Sequence, residues 1–248
     1  MQDTSTTTLD EARAWLRAAD HVAVLTGAGV SAESGVTTFR DAQTGYWAQF
    51  RAEDMATEEG FRAHPQRVWD WYQFRRDLLG RVAPNAAHAA LARFESEHPG
   101  RLTLITQNVD GLHQRAGSTG VLCLHGDIFA DRWLDTPRNC CFIDHAVAGS
   151  PPHCDRCGNL VRPGVVWFGE ALPFAVLKAA QYAARQCDLM LVAGTAGAVY
   201  PAAGLAHEAR AAGARVVIIN PAASELDDVA HLVLRGTATQ VVPALLTD

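Results

Sequence analysis

Apolar residues along this chain fall into short runs, separated by longer stretches with the spacing of a helix. Residues 21–26 (HVAVLT), 102–106 (LTLIT), 121–124, 165–168 (VVWF), 188–193 (DLMLVA), 215–220 (RVVIIN) and 231–234 read as strands. Residues 9–19, 86–97, 173–185, 202–212 and 239–246 read as helices, with Gly213 closing the fourth as a C-terminal cap. Apolar strands alternating with helices of this length predict an α/β fold with a Rossmann-like parallel sheet, covered by helices on both faces. Two stretches break the alternation. Residues 43–80, rich in Trp, Phe, Arg and Glu, predict one or two helices on a module apart from the sheet. Residues 131–164 hold Pro137, Pro151, Pro152 and Pro163 with little periodicity, and read as a loop-rich insertion. The expected division is a Rossmann-like domain of 1–43, 84–130 and 165–248. The small domain has a helical part, 44–83, and a cysteine-containing, zinc-type part, 131–164.

Composition narrows the function class. With 248 residues, 48% of them hydrophobic, the chain suits one globular body with a sizeable core. A net charge of -6 argues against a nucleic-acid partner, which requires a basic face. The first residues, MQDTSTTTLDEARAW, carry neither the basic nor the apolar region of a signal peptide. The most apolar stretch, 189–206, is interrupted by three glycines and a proline, so no membrane span is expected and the location should be cytoplasmic. Four of the six cysteines lie between 140 and 157, which in such a chain points to metal before disulfide.

The candidate chemistry collects at the strand ends, which read GAG, QNVD, HG, GTA and NPA. Ligands of a doubly wound sheet bind beyond those ends. Gly27, Gly29 and Ala32 match GxGxxG/A opening a helix after a strand, a turn that brings backbone close to a pyrophosphate. Many such turns bind nothing, and a hydride-transferring enzyme also needs an acidic residue after the second strand. Glu53 and Asp54 lie at about that distance, but in the aromatic helical module, so that chemistry fits poorly.

The rest of the pattern is more specific. GAGVSAESGVTTFRD (27–41), TQNVDGLH (106–113), LHGD (124–127), VVWFGE (165–170) and GT (194–195) follow in order. This set resembles the sirtuin family of NAD-dependent protein deacylases over about residues 20–242. The resemblance implies NAD as a reactant. The acyl oxygen of a modified lysine attacks the ribose carbon that holds nicotinamide, which leaves. A histidine then acts as general base on a ribose hydroxyl that attacks the resulting imidate, giving free lysine and O-acyl-ADP-ribose.

Residue by residue, His125 matches the base, and a side chain titrating near neutrality suits that task. Asn108 and Asp110 match the pair at the nicotinamide amide and ribose, and Gln107 the residue beside the ribose. Gly27, Ala28, Gly29 and Ser31 match the phosphate-cradling turn, Arg40 a phosphate contact and Phe39 a shield over the reacting carbon. Gly194 and Thr195 match the next cofactor loop, Asn220 the adenine-ribose contact, and Ala238 a further cofactor position. Val166, Trp167, Phe168 and Gly169 match the strand that pairs with the substrate peptide. The implied partners are acylated lysine side chains of proteins, with no nucleic acid and no membrane, and a monomer is expected.

The stretch WDWYQFRRD, 69–77, puts Tyr72 and Arg75 on one helical face. Such a pair can simply rim a core. It also matches a Tyr-x-x-Arg signature of sirtuins that remove acidic acyl groups, where a phenol and a guanidinium clamp the free carboxylate of succinyl- or malonyl-lysine. Residues 45–76 follow that class's pattern, with Ala52 as the small residue that leaves room for a longer chain. Removal of both acidic acyl and acetyl groups is expected. The competing readings are transfer of ADP-ribose to a protein and a non-catalytic NAD or ADP-ribose sensor.

Three departures from the family pattern stand out. The second CxxC pair, Cys154 and Cys157, is present, but Trp133 and Thr136 stand where the first belongs, followed by adjacent Cys140 and Cys141. Adjacent side chains in an extended chain diverge, which makes one tetrahedral zinc awkward. A rearranged four-cysteine site, a site completed by His145, His153 or water, and a lost site all remain open. Ala196 replaces the serine of GTS, removing a hydroxyl worth about 0.5–1.5 kcal/mol to the cofactor. Thr37 and Thr38 precede Phe39 where proline is common.

Overall fold

A computed structural model describes residues 4–36, 50–142 and 146–247, and only the backbone of 4–7, 52 and 53. Six strands form one parallel sheet: β1 (Val22–Thr26), β2 (Leu102–Thr106), β3 (Leu122–Cys123), β6 (Leu189–Ala193), β7 (Arg215–Ile219) and β8 (Leu232–Leu234), in the order β3-β2-β1-β6-β7-β8. The order reverses between β1 and β6, so the connections leave these two central strands in opposite directions and open a crevice beyond their C-terminal ends.

Period-two alternation divides each central strand between two cores. Val22 and Val24 of β1, Leu189 and Leu191 of β6, and Val217 and Ile219 of β7 face one side. There they meet α1 (Thr4–Ala18), α5 (Ala86–Glu97) and α9 (Ala238–Leu246) through Leu16, Leu91, Phe94 and Leu245. Ala23 and Leu25, Met190 and Val192, and Val216 and Ile218 face the other side, against α7 (Phe174–Gln186) and α8 (Gly204–Ala211). Both faces being covered explains why these strands read as unbroken apolar runs. Gly213, at φ 101°, ends α8 in the left-handed conformation expected of its cap.

A third core lies apart from the sheet. Short α2 (Ala52–Met55), α3 (Glu58–Ala63) and α4 (Pro65–Arg81) pack Phe61, Val68, Trp69 and Trp71 against an antiparallel pair, β4 (Gly126–Trp133) and β5 (Val161–Val165). The structure corrects three expectations here. The stretch 131–164 is not only loop, because it completes β4 and contains β5. The pair escaped detection because β4 buries only Ile128 fully along its length and its register shifts between Gly126 and Asp131, leaving no apolar alternation to read. The strand read at 165–168 instead ends at Val165. After β1, the expected helix opens only as two single 3-10 turns, Ala28–Val30 and Ala32–Ser34, stopped by Gly35 at φ 86°. Phe39 and Arg40, with Thr37 and Thr38, lie outside the described residues. No described helix is long and apolar enough to cross a membrane.

Candidate active site at the strand ends

The first three residues after β1 and after β6 are built to touch. Gly29 N donates to Gly194 O at 2.8 Å, and Gly27 N to Ala193 O at 3.1 Å. A Cβ on Gly29 would meet Gly194 Cα at 2.8 Å, and one on Gly194 would meet Val30 N at 2.3 Å. Gly194 also sits at φ 66°. These glycines therefore admit one another before they admit any ligand. The result is a cradle at the switch point walled by main chain, with Ala28 half-buried in its rim. Because the turns are 3-10, the pull on an anion comes from individual N–H groups and not from a helix dipole.

His125 follows β3, half-buried. Its Nδ1 lies 2.8 Å from Gln107 O, and a carbonyl can only accept, so Nδ1 carries the proton and Nε2 keeps its lone pair. Burial pushes the imidazole below its ordinary pKa, with the Gln107 bond pulling the other way. The ring is therefore neutral near pH 7, in the tautomer a general base requires. His125 O accepts from Val166 N at 2.8 Å, which ties this loop to the segment after β5.

Beneath the crevice the sequence-predicted residues bind one another. Ser31, fully buried, donates to Asp110 Oδ2 at 2.8 Å, and Asn108 Nδ2 donates to Ser31 Oγ and Gly27 O, each at 3.1 Å. Asp110 Oδ1 accepts from Leu112 N at 2.9 Å. Ser31 and Asp110 are thus supports, whereas Asn108 has committed both amide hydrogens and can still offer its carbonyl oxygen. Gln107 Nε2 donates to Thr195 Oγ1 at 3.2 Å, which also accepts from Gly197 N, so the Thr195 hydroxyl can offer only its hydrogen beside exposed Ala196. Asn220 stands half-buried at the end of β7. Ala238 begins α9 with its side chain buried in the same core as Val30.

Five supporting residues escaped the sequence reading. Thr26 and Thr106 are register partners at the ends of β1 and β2, with hydroxyls 2.9 Å apart, and Thr26 Oγ1 is 2.9 Å from His113 Nε2. His88 Nδ1 accepts from Asn85 N at 3.2 Å, so its Nε2–H faces Ser31 Oγ at 3.3 Å. Burial drives His113 down to about 3 and lowers His88, so both stay neutral. Asn85 caps α5 and donates to Val30 O at 2.8 Å. The available signals were two strands ending in Thr and a capping box with His in the usual Glu position.

Tyr72 and Arg75 lie on α4, Tyr72 in the third core and the Arg75 guanidinium 4.9 Å from the centre of the Trp71 ring. Tyr72 is fully buried and its oxygen accepts from Trp167 Nε1 at 2.9 Å. Burial pushes the phenol up to about 12, so it stays neutral. Burial lowers the Arg75 pKa, while Tyr72 and then Asp110 act electrostatically in the opposite sense. Ala52 begins α2, and its side chain lies outside the description.

The segment expected to pair with the substrate peptide has much of its backbone engaged within the chain. Val166 N donates to His125 O, Trp167 N to Glu170 Oε2 and Phe168 N to Ala56 O. The segment turns at Gly169, φ 86°, and only Phe168 of its three large side chains is well exposed. Three N–H groups are already taken, so an added strand could use only the segment's remaining backbone groups.

The cysteines converge where the sequence left the matter open. The sulfurs of Cys140, Cys141, Cys154 and Cys157 all lie within 4.8 Å of one another. Four sulfurs about 2.3 Å from a tetrahedral zinc stand about 3.8 Å apart, so the set fits that ion. The adjacent pair works because Cys141 N bonds to Arg138 O at 2.8 Å, bending 138–141 into a turn instead of an extended chain. His153 uses its backbone to bridge Val147 and Leu160 and is not in the group, and His145 lies outside the described residues.

Known proteins give the same picture. A family model described as the Sir2 family matches residues 27–201. A protein of Ralstonia nicotianae named NAD-dependent protein deacylase is 55% identical over 236 residues, 95% of each chain. A solved Sir2 homologue in complex with NAD superposes with a TM-score of 0.84 at 40% identity, covering 99% of this chain and 93% of that one. A Sir2 protein bound to an acetylated peptide gives 0.80 at 30% identity, covering 94% and 95%. With a glycine cradle at the switch point, a histidine held in one tautomer at another strand end and these likenesses over nearly its whole length, the chain belongs to the Sir2 family.

Proposed function

We propose that this protein is an NAD-dependent protein lysine deacylase that removes succinyl and malonyl groups as well as acetyl groups. The observation that carries the reading is His125, held by Gln107 as a neutral Nδ1–H tautomer at the mouth of the glycine cradle. The residues fit NAD: main chain without side chains at 27, 29 and 194, the Asn108 carbonyl, and Asn220 at the next strand end. Bound NAD supplies the ADP-ribosyl acceptor for the acyl group and nicotinamide as the leaving group. Asn108 orients the nicotinamide end, braced by Ser31, Asp110 and His88. His125 Nε2 takes the proton of the ribose hydroxyl that receives the acyl group, while Nδ1–H stays on Gln107 O. The Rossmann-like part, 1–43, 84–130 and 165–248, holds the cofactor in this reading, with Phe39 and Arg40 in its loop. The module of 44–83 and 131–164 holds the acyl chain, with Tyr72 and Arg75 at its carboxylate. The -6 charge supports a chain that acts without nucleic acid, as a monomer.

Nicotinamide release tests the reading. It should require an acyl-lysine peptide, with succinyl-lysine accepted. Release that follows a different protein acceptor would identify ADP-ribosyl transfer, and no release would identify a sensor. Because the His125 pKa is lowered, the base is already deprotonated at neutral pH. Activity should rise from acid through a pKa below 6.5 and stay level above it. A limb centred above 7 would exclude His125 as the titrating base.

Zinc, when bound, supplies a cross-link between the 138–141 turn and the 154–159 loop. One zinc per chain should be found by atomic absorption, and Cys141→Ser should lose it. A loss of about 3 kcal/mol would lower Tm by roughly 6–12 °C. A metal-free wild type as stable as the loaded protein would remove zinc from the reading.

A further inference from the structure

Arg162, on β5, is only 1% exposed, and no motif singled it out. Its guanidinium forks onto Glu170, with Nη1 on Oε1 and Nη2 3.2 Å from Oε2, and Nη2 also donates to Val165 O at 2.7 Å. The guanidinium carbon lies 3.3 Å from the centre of the Trp167 ring. Glu170 in turn accepts from Trp167 N at 2.8 Å and from Arg132 at 2.9 and 3.0 Å. Trp167 is therefore clamped twice, by a cation on its face and a carboxylate on its backbone. A buried ion pair is weak evidence for stability, since apolar residues of similar volume often hold a core as well.

What the clamp fixes is the position of one hydrogen-bond donor. An indole N–H can only donate, so the Tyr72 oxygen must accept from Trp167 Nε1. The phenol's own hydrogen is then directed away from Trp167. A neutral phenol with that orientation is a donor suited to a carboxylate beside Arg75.

We propose that Arg162 is a specificity-determining positioning residue, which orients Tyr72 through the stacked Trp167 and so favours acyl groups that end in a carboxylate. The inference rests on the acidic-acyl reading of Tyr72 and Arg75. Arg162 touches no substrate. It acts by fixing the ring that fixes the phenol.

The test is a double-mutant cycle on peptides carrying succinyl- or acetyl-lysine, using wild type, Arg162→Lys, Tyr72→Phe and the double variant. Lysine keeps the charge for Glu170 but loses the planar stack and the fork. The succinyl kcat/KM of Arg162→Lys should fall about tenfold, mainly through KM, with acetyl turnover changed by less than about twofold. In the Tyr72→Phe background the same substitution should leave the succinyl-to-acetyl ratio unmoved. If Arg162→Lys does not fold, as judged by its melting curve, Glu170→Gln loosens the same fork and should give the same split. Equal loss on both substrates, or an effect on the ratio that persists without the phenol, would overturn the proposal. If Tyr72→Phe lowers the ratio and Arg162→Lys does not, this inference fails and the acidic-acyl reading stands. A wild type that ignores succinyl-lysine removes both.

Discussion

In His125→Ala, deacylation of any acyl-lysine peptide is expected to fall by roughly 10²–10⁴-fold, the range a positioned general base supplies. Two features make the effect large. The Gln107 carbonyl, 2.8 Å from Nδ1, fixes the tautomer, so no free energy is needed at the moment of reaction to turn or retautomerise the ring. Burial also favours the neutral ring, so the base form prevails at pH 7. The cradle at Gly27, Gly29 and Gly194 does not depend on the imidazole, so NAD affinity should stay within a few-fold of wild type. Titration calorimetry with NAD and steady-state kinetics separate the two quantities. A loss of less than tenfold, with the fold intact, would mean that another group takes the proton.

The second large effect concerns substrate choice. Arg75→Met should lower kcat/KM for a succinyl-lysine peptide by roughly 10–150-fold, as the loss of charge-assisted bonds worth about 1.5–3 kcal/mol requires. Most of the change belongs in KM, because the carboxylate is held alike in ground and transition states. Acetyl-lysine, which has no carboxylate, should be turned over at close to the wild-type rate or better. Burial already disfavours the Arg75 charge, with Tyr72 and Asp110 offsetting part of the cost, and a bound carboxylate would favour the charged form further. Equal loss of both activities would reduce Tyr72 and Arg75 to core residues of α4 and leave a plain deacetylase.

The same comparison explains why Ser31 and Asp110 resist assignment from a motif. Both belong to the turn sequences that mark the cradle, yet Ser31 is fully buried and Asp110 only 5% exposed. Their polar atoms meet Asn108, Leu112 and His88. A motif records that a hydroxyl and a carboxylate are needed at those positions. Whether each faces a ligand or braces its neighbour depends on which strand ends converge.

The sequence by itself determined the parallel sheet, because strands buried on both faces must be apolar throughout and their crossovers must be helical. It also marked the chemistry at the strand ends through glycines at 27, 29 and 194, although the contact that requires them is between the two loops. Only the tertiary structure decided the rest. The β4–β5 pair has no apolar alternation, so only its partner strand makes it a strand. Cys140 and Cys141 join Cys154 and Cys157 because a turn at 138–141 redirects adjacent side chains, and nothing in their spacing encodes that turn. Arg162, Trp167 and Tyr72 meet across 95 positions between the last two. Local period fixes which face a residue takes, but the partner on that face is chosen by packing between distant segments.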